Sequence, residues 1–479
     1  MTTIHDLPNE LLEKILLKGE VRSIAQCRSV SKLFHEVITN STAIQYKIEL
    51  AVDGFQDGPP GGMSVSERLQ ALRNRRLAWS TLSPSGTRII TARKAHWICE
   101  ASGHIAWLDE DLKLHVWEVP SVFRGIKGKE WVVSSPHVDF DRAVDVAMDP
   151  DEDVLVVIQD QGTSRMLILL SLTTGDYHPC AQKVEPIPER PHESVKVHVG
   201  IFQDYLGVMH SLREDGGLMK KQVLIVTNWK TGDTLLALED ATLAFTFAPG
   251  PYLLILYAQR PDINASLCVI DLSALSPQAV NSGTILAKAL RILGPSATAQ
   301  LMLPTGNNES AFILVSILPL PSSQPPSRAA FYAGEDRATV FRLQSSSGQL
   351  LFTVPWKSII GGLTKVQRQP ELGGRLDWHD WAPKGSAPIR NPTPKSYPAL
   401  QGMPAFLRRD TSVSHMYSFE PLVSLVSRME GFLDEYCSES ISDAKRRSAI
   451  ISVVLGADWV ECRTYVSFDR HFQRHILWF

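Results

Sequence analysis

Leu7-Pro8 opens a stretch whose apolar spacing admits little besides short, stacked helices. Leu11, Leu12, Ile15 and Leu16 recur at i, i+1, i+4 and i+5, which draws one broad apolar stripe along a helix. Pro8 suits the first helical position, where no backbone donor is needed. Gly19 is placed to end that helix. Val21, Ile24, Cys27 and Val30 follow at three-residue steps and predict a short middle helix. Leu33, Phe34, Val37 and Ile38 repeat the first spacing on a third helix. Three helices in so short a stretch cannot bury this much apolar surface among themselves. Part of it is expected to meet a partner or the rest of the chain.

The same stretch resembles an F-box. Leu7-Pro8, Glu10-Leu11-Leu12, Ile15-Leu16, Val30-Ser31-Lys32 and Val37-Ile38 match that motif. Phe34 stands where the family usually carries Trp, and the segment between the first and last helices is shorter than usual. The resemblance implies docking to a Skp-type adaptor and, through it, to a cullin. It implies Leu7, Pro8, Leu11, Leu12, Ile15, Leu16, Val30, Phe34 and Val37 as adaptor-binding residues, with Leu7 and Pro8 fixing the entry of the first helix. Some of these side chains must instead form the core of the small unit, and sequence does not sort the two sets. The alternative is an ordinary helical cap on a larger domain.

With 479 residues the chain has room for two or more domains. Its 44% hydrophobic content is that of a globular protein. A formal net charge of −3 argues against a dedicated nucleic-acid or anionic-membrane binder. The six cysteines (Cys27, Cys99, Cys180, Cys268, Cys437 and Cys462) form no Cys-x-x-Cys pair, so reduced thiols are expected in a cytoplasmic or nuclear protein. Met1 to Pro8 contains no apolar signal region. The runs Ala311 to Leu320 and Met166 to Leu172 are too short to span a bilayer and fit buried strands.

Asp53 to Gly62 is rich in Gly, Pro and Asp and breaks regular structure. Ser64 and Glu67 then have capping-box spacing, and Val65, Leu69, Leu72, Arg76 and Trp79 fall near a helical period. This predicts a connector helix with Arg68, Arg73, Arg75 and Arg76 as a solvated basic face. From about residue 80 short Val/Ile/Leu/Phe runs alternate with Gly, Pro, Asp and Ser clusters. The expected layout is a helical F-box unit at 1–48, a breaker and connector helix at 49–79, and a mostly-β domain at 80–479.

An internal echo runs through the β part. Leu172-Thr173-Thr174-Gly175-Asp176 returns as Trp229-Lys230-Thr231-Gly232-Asp233 and again as Ser346-Ser347-Gly348-Gln349-Leu350, with a degenerate copy at Ser282-Gly283-Thr284. Asp145 to Pro150 before Val154 matches Phe245 to Pro249 before Leu253. Repetition at tens of residues with several strands per repeat predicts an irregular β-propeller of about seven blades. A two-sheet β domain is the alternative. Pro-rich loops are expected at 318–328 and 383–404. Leu422 to Tyr436 fits a helix or a strand pair. The Trp378-His379-Asp380-Trp381-Ala382-Pro383 segment, with the features above, is similar to a group of fungal F-box proteins, which commonly carry Gly where Ala382 stands.

No phosphate loop, nucleophile elbow or dinucleotide fingerprint is present in the sequence. His471 and His475 have the i, i+4 spacing of helical metal ligands, but Phe468, Phe472 and Ile476 around them point to packing. No catalytic residue, cofactor or metal is expected. The resemblance implies a non-catalytic substrate receptor of an SCF-type cullin–RING ubiquitin ligase, its β domain taking a target protein. Other readings are a scaffold that delivers nothing for ubiquitination, and an enzyme with a ligand held in the β domain.

Overall fold

A computed structural model describes residues 4, 7–81, 83–92, 98–162, 164–180, 194–213, 219–240, 243–259, 264–277, 280–303, 312–317, 329–333, 338–345, 348–382, 389–390, 398–399, 448–455, 459–466 and 471–478. The stretches expected as Pro-rich loops lie outside these residues, except for the short strands Ile389–Arg390 and Pro398–Ala399. Residues 422–447 lie outside them too.

Four helices, rather than three, open the chain: α1 (Asn9–Lys18), α2 (Val21–Cys27), α3 (Lys32–Asn40) and α4 (Thr42–Asp53). Pro8 is the N-cap of α1, one residue before the expected position, and its carbonyl accepts from Leu11 and Leu12. Ser31 caps α3 by accepting from the Phe34 N–H, and Ser41 caps α4 by accepting from the Ile44 N–H. Gly54, in the left-handed region at φ 71°, terminates α4. The expected boundary at residue 48 therefore falls inside a helix. A short strand, Phe55–Asp57, and the connector α5 (Val65–Thr81) follow. The predicted capping box is present: Glu67 accepts from the Ser64 N–H at 2.6 Å, and Ser64 Oγ accepts from the Glu67 N–H at 3.3 Å.

Beyond α5 the described residues form six sheets of three to five strands. Sheet I holds Ile98–Ala101, His104–Leu108, Leu114–Glu118 and Lys129–Val133. Sheet II holds Ala143–Asp149, Val154–Asp160 and Arg165–Ser171. Sheet III runs from Ser194–Phe202 through Thr234–Asp240, with Val280–Thr284 added in parallel at its edge. Sheet IV is built from Leu243–Ala248, Tyr252–Gln259, Asn264–Asp271 and Thr298–Met302, with Arg375–Leu376 added in parallel. Sheet V holds Phe312–Ile317, Ala338–Ser345, Gly348–Pro355 and Ile389–Arg390. In sheet VI the strand Gly86–Ala92, from the start of the β region, pairs antiparallel with His471–Trp478 near its end.

Among the described residues, six sheets rather than two make up the β region. The first strands of sheets I to V pack on one another in succession. Separate apolar cores lie between sheets I and II, II and III, and III and IV. The echo at Gly175 and Gly232 is real in sheets II and III. Each glycine has φ near 80°, and each N–H donates to the carbonyl four residues back, Ser171 and Asn228. The other two copies are not equivalent, because Gly348 opens a strand and Ser282 lies within one.

Two helices were missed in the β region: α6 (Leu286–Ala297) and α7 (Trp356–Arg368). Gly361-Gly362 obscures the period of α7, whose buried face is Trp356, Ile359, Leu363 and Val366. A Cβ on Gly362 would sit 2.8 Å from Leu301, so the glycine lets the helix lie directly on sheet IV. The short helix α8 (Trp378–Trp381) anchors beside it, Trp381 Nε1 donating to the Met302 carbonyl at 3.1 Å. His471 and His475 are in a strand, so their helical spacing has no meaning there.

Candidate functional site

The stripe read from the sequence divides into two rows on the folded unit. Leu12, Leu16, Ile24, Val37, Ile38 and Ile44 form a closed core. Leu12 is only 1% exposed. Leu12, Leu16 and Val37 were expected on the docking face. In the folded unit all three are buried in this core, where α3 and α4 pack against α1. Leu7 and Phe34 are half-buried against this core.

The second row faces outward. Leu11 is 45% exposed and Ile15 53% exposed, one turn apart on α1. Val30 is 69% exposed and lies not on the expected middle helix but in the link between α2 and α3. That link is held by local bonds: the Val30 N–H donates to Cys27 O at 3.0 Å, and Ser29 Oγ to Gln26 O at 2.8 Å. Pro8 is exposed beside them in sequence. An exposed leucine is ordinary; an isoleucine and a valine left open with it in so small a unit is the more informative observation.

The unit is braced so that this row stays presented. Lys47 of α4 donates to Leu17 O at 2.6 Å and Gly19 O at 2.8 Å, satisfying carbonyls left open at the end of α1. Ser41 Oγ donates to Glu13 Oε1 at 2.8 Å. These three bonds hold α1 against α4.

Of the four arginines of α5 expected on a solvated face, Arg73 is exposed and the other three turn inward. Arg68 and Arg75 are buried, and Arg76 is largely so. Arg76 grips Asp53 with two bonds, Nε to Oδ1 at 3.1 Å and Nη2 to Oδ2 at 2.8 Å, and pairs with Glu49. Burial pushes the Asp53 carboxyl above its usual range, and Arg76 pulls it back in part. The Arg75 guanidinium lies 4.6 Å over the Phe55 ring and 5.8 Å over that of Trp79. Arg68 reaches Asp57 at 2.6 Å and the backbone of the 58–63 turn. Tyr46 donates to Asp57 at 2.8 Å; burial and that carboxylate raise its pKa well above that of an ordinary phenol. Sequence showed the charges and their spacing, but not that acids from α4 would wait beneath them.

Residues 4–42 match the family model described as the F-box domain. The chain carries an F-box. No curated protein matches the chain. Among solved structures, the Dos1 propeller is 9% identical at a TM-score of 0.30, covering 79% of this chain and 77% of that one. The WD40 domain of Toxoplasma gondii coronin is 9% identical at a TM-score of 0.30, covering 65% and 66%. Pyrococcus horikoshii acylaminoacyl peptidase is 9% identical at a TM-score of 0.28, covering 55% of this chain. The chain spans about 45% of the length of that peptidase. The helical unit is thus an F-box unit, followed by a large, mostly-β region.

Among the described residues no group of three or more His, Cys, Asp or Glu side chains is arranged to hold a metal. No helix among them is long and apolar enough to cross a membrane.

Proposed function

We propose that the chain is the substrate-recognition subunit of an SCF-type cullin–RING ubiquitin ligase. In this reading the F-box unit binds a Skp-type adaptor, the adaptor brings the cullin, and the β region receives a target protein. The observation that carries it is the exposure of Leu11 and Ile15, one turn apart on α1, and of Val30 in the link before α3, on a matched F-box. Each such aliphatic side chain, once buried by a partner, is worth about 1.5–3 kcal/mol before association costs. Leu12, Leu16 and Val37 support that surface from beneath. The receptor itself needs no reactive group: holding a target beside a charged conjugating enzyme raises the local concentration of its lysines.

The β region is read as a propeller, its sheets as blades and sheet VI as the blade that joins both ends of the ring. Successive first-strand packing and the pairing of Gly86–Ala92 with His471–Trp478 support that reading. The test of function is co-purification of the full chain with the adaptor. Leu11→Asp combined with Ile15→Asp is expected to abolish capture while the β region stays folded. Capture of the double variant at the parent level refutes the interface. Adaptor binding without cullin-dependent turnover of any captured partner would favour the scaffold reading instead.

A further inference from the structure

Between two paired strands of sheet V the chain leaves the sheet and places residues 329–333 against the helical part of the molecule. There Phe331–Ala333 pairs antiparallel with Phe55–Asp57, in the register Phe55 with Ala333 and Asp57 with Phe331. Phe331 is fully buried, its ring 5.2 Å from that of Phe55 in an edge-on arrangement. The Ala330 carbonyl accepts from the Gly58 N–H at 3.0 Å and from Arg68 Nη1 at 3.0 Å. On its other side the Ala330 N–H donates to Arg124 O at 3.1 Å, in the loop between two strands of sheet I. A segment inserted between two strands of sheet V thus completes a core built on α4, α5 and the strand between them.

We propose that residues 329–333 are a clip that fixes the orientation of the F-box unit on the β region. Arg68 is the positioning residue. One guanidinium organises the Asp57–Met63 turn and at the same time holds the clip, so the turn and the clip are ordered together. Among the described residues, the F-box core around Leu12 and Ile38 contains none from the β region, so releasing the clip frees the orientation without opening that core. This coupling does not depend on what the F-box binds.

Gly58 provides the test. A Cβ there would collide with the Ala329 carbonyl oxygen and come within 2.8 Å of the Ala330 carbonyl carbon. At Gly62, in the same turn, a Cβ meets nothing within 4 Å. Gly58→Ala and Gly62→Ala are compared in the full chain by amide hydrogen exchange and small-angle X-ray scattering. Gly58→Ala is expected to speed exchange at residues 55–57 and 331–333 by about tenfold or more and to broaden the scattering envelope. Exchange at Val154–Asp160 and Tyr252–Gln259 should stay at the parent rate, and Gly62→Ala should be silent. Phe331→Ala is read the same way, so the outcome does not rest on one variant. If Gly58→Ala matches Gly62→Ala, the clip does not couple the units. If the sheet II and IV strands lose protection as well, the segment is a general folding element and the proposal falls.

Discussion

Leu11 and Leu12 are neighbours in sequence and opposite in role. Replacing Leu12 with Ala removes a buried side chain from a tight core and should cost about 2–5 kcal/mol. Leu11→Ala or Val30→Ala, at exposed positions, should change stability by no more than about 0.5 kcal/mol. Hydrogen exchange of the α1 and α3 amides in the full chain checks both; equal costs would mean that the two rows have been confused. The sequence placed both rows on one stripe because a helix puts i and i+4 together and i+1 only about 100° away. Which row turns inward depends on where α3 and α4 cross α1, and local spacing does not contain that. The same limit applies to Val30, whose three-residue echo of Cys27 suggested a helix that had already ended.

Helix α5 shows how an element can be read correctly and its face wrongly. Its capping box and length were legible, but Arg68 and Arg76 turn inward because Glu49, Asp53 and Asp57 meet them from α4 and the strand after it. Arg76→Ala would leave the fully buried Asp53 side chain without its two-bond partner, at a cost of about 3–5 kcal/mol near neutral pH. The pH dependence follows from Asp53 lying above its usual range. A raised carboxyl favours the folded state while protonated, and that advantage fades as pH rises from the unfolded value through the folded one. Losing Arg76 raises Asp53 further, so the variant's deficit should shrink as pH falls toward the carboxylate range. A deficit constant with pH, measured by α4 and α5 exchange, would contradict this. The seam between sheets VI and I has the opposite sign. Arg88 donates to both Glu130 oxygens at 2.8 and 3.0 Å and holds that carboxyl below its usual range. The stability it contributes is present above the ordinary Glu value and is lost as pH falls through the folded one. Protection at Gly86–Ala92, corrected for the intrinsic exchange rate at each pH, should therefore fall on acidification in the parent and much less so in Glu130→Gln. Helices α6 and α7 were overlooked for a physical reason: Gly294-Pro295 and Gly361-Gly362 interrupt otherwise regular apolar periods.

In the whole molecule, the division into a helical start and a β remainder was legible because hydrophobic period changes from near 3.6 to runs of strand length. The turn echo located equivalent corners in sheets II and III, since both need a glycine at positive φ. It did not fix the number of sheets, because the other two copies fall in unrelated places. Neither the clip nor the Arg88 seam could be read from sequence, because the clip joins residues 262 positions apart and the seam residues 42 apart, on different sheets. The account rests on the outward row of the F-box unit being a docking surface. Its most direct test is an exchange footprint of the intact chain with and without a purified Skp-type adaptor. Protection is expected at residues 8–16 and 28–34, with the strands of sheets II to IV unchanged. Protection confined to the β region, or none at adaptor concentrations that saturate a known F-box, would contradict it.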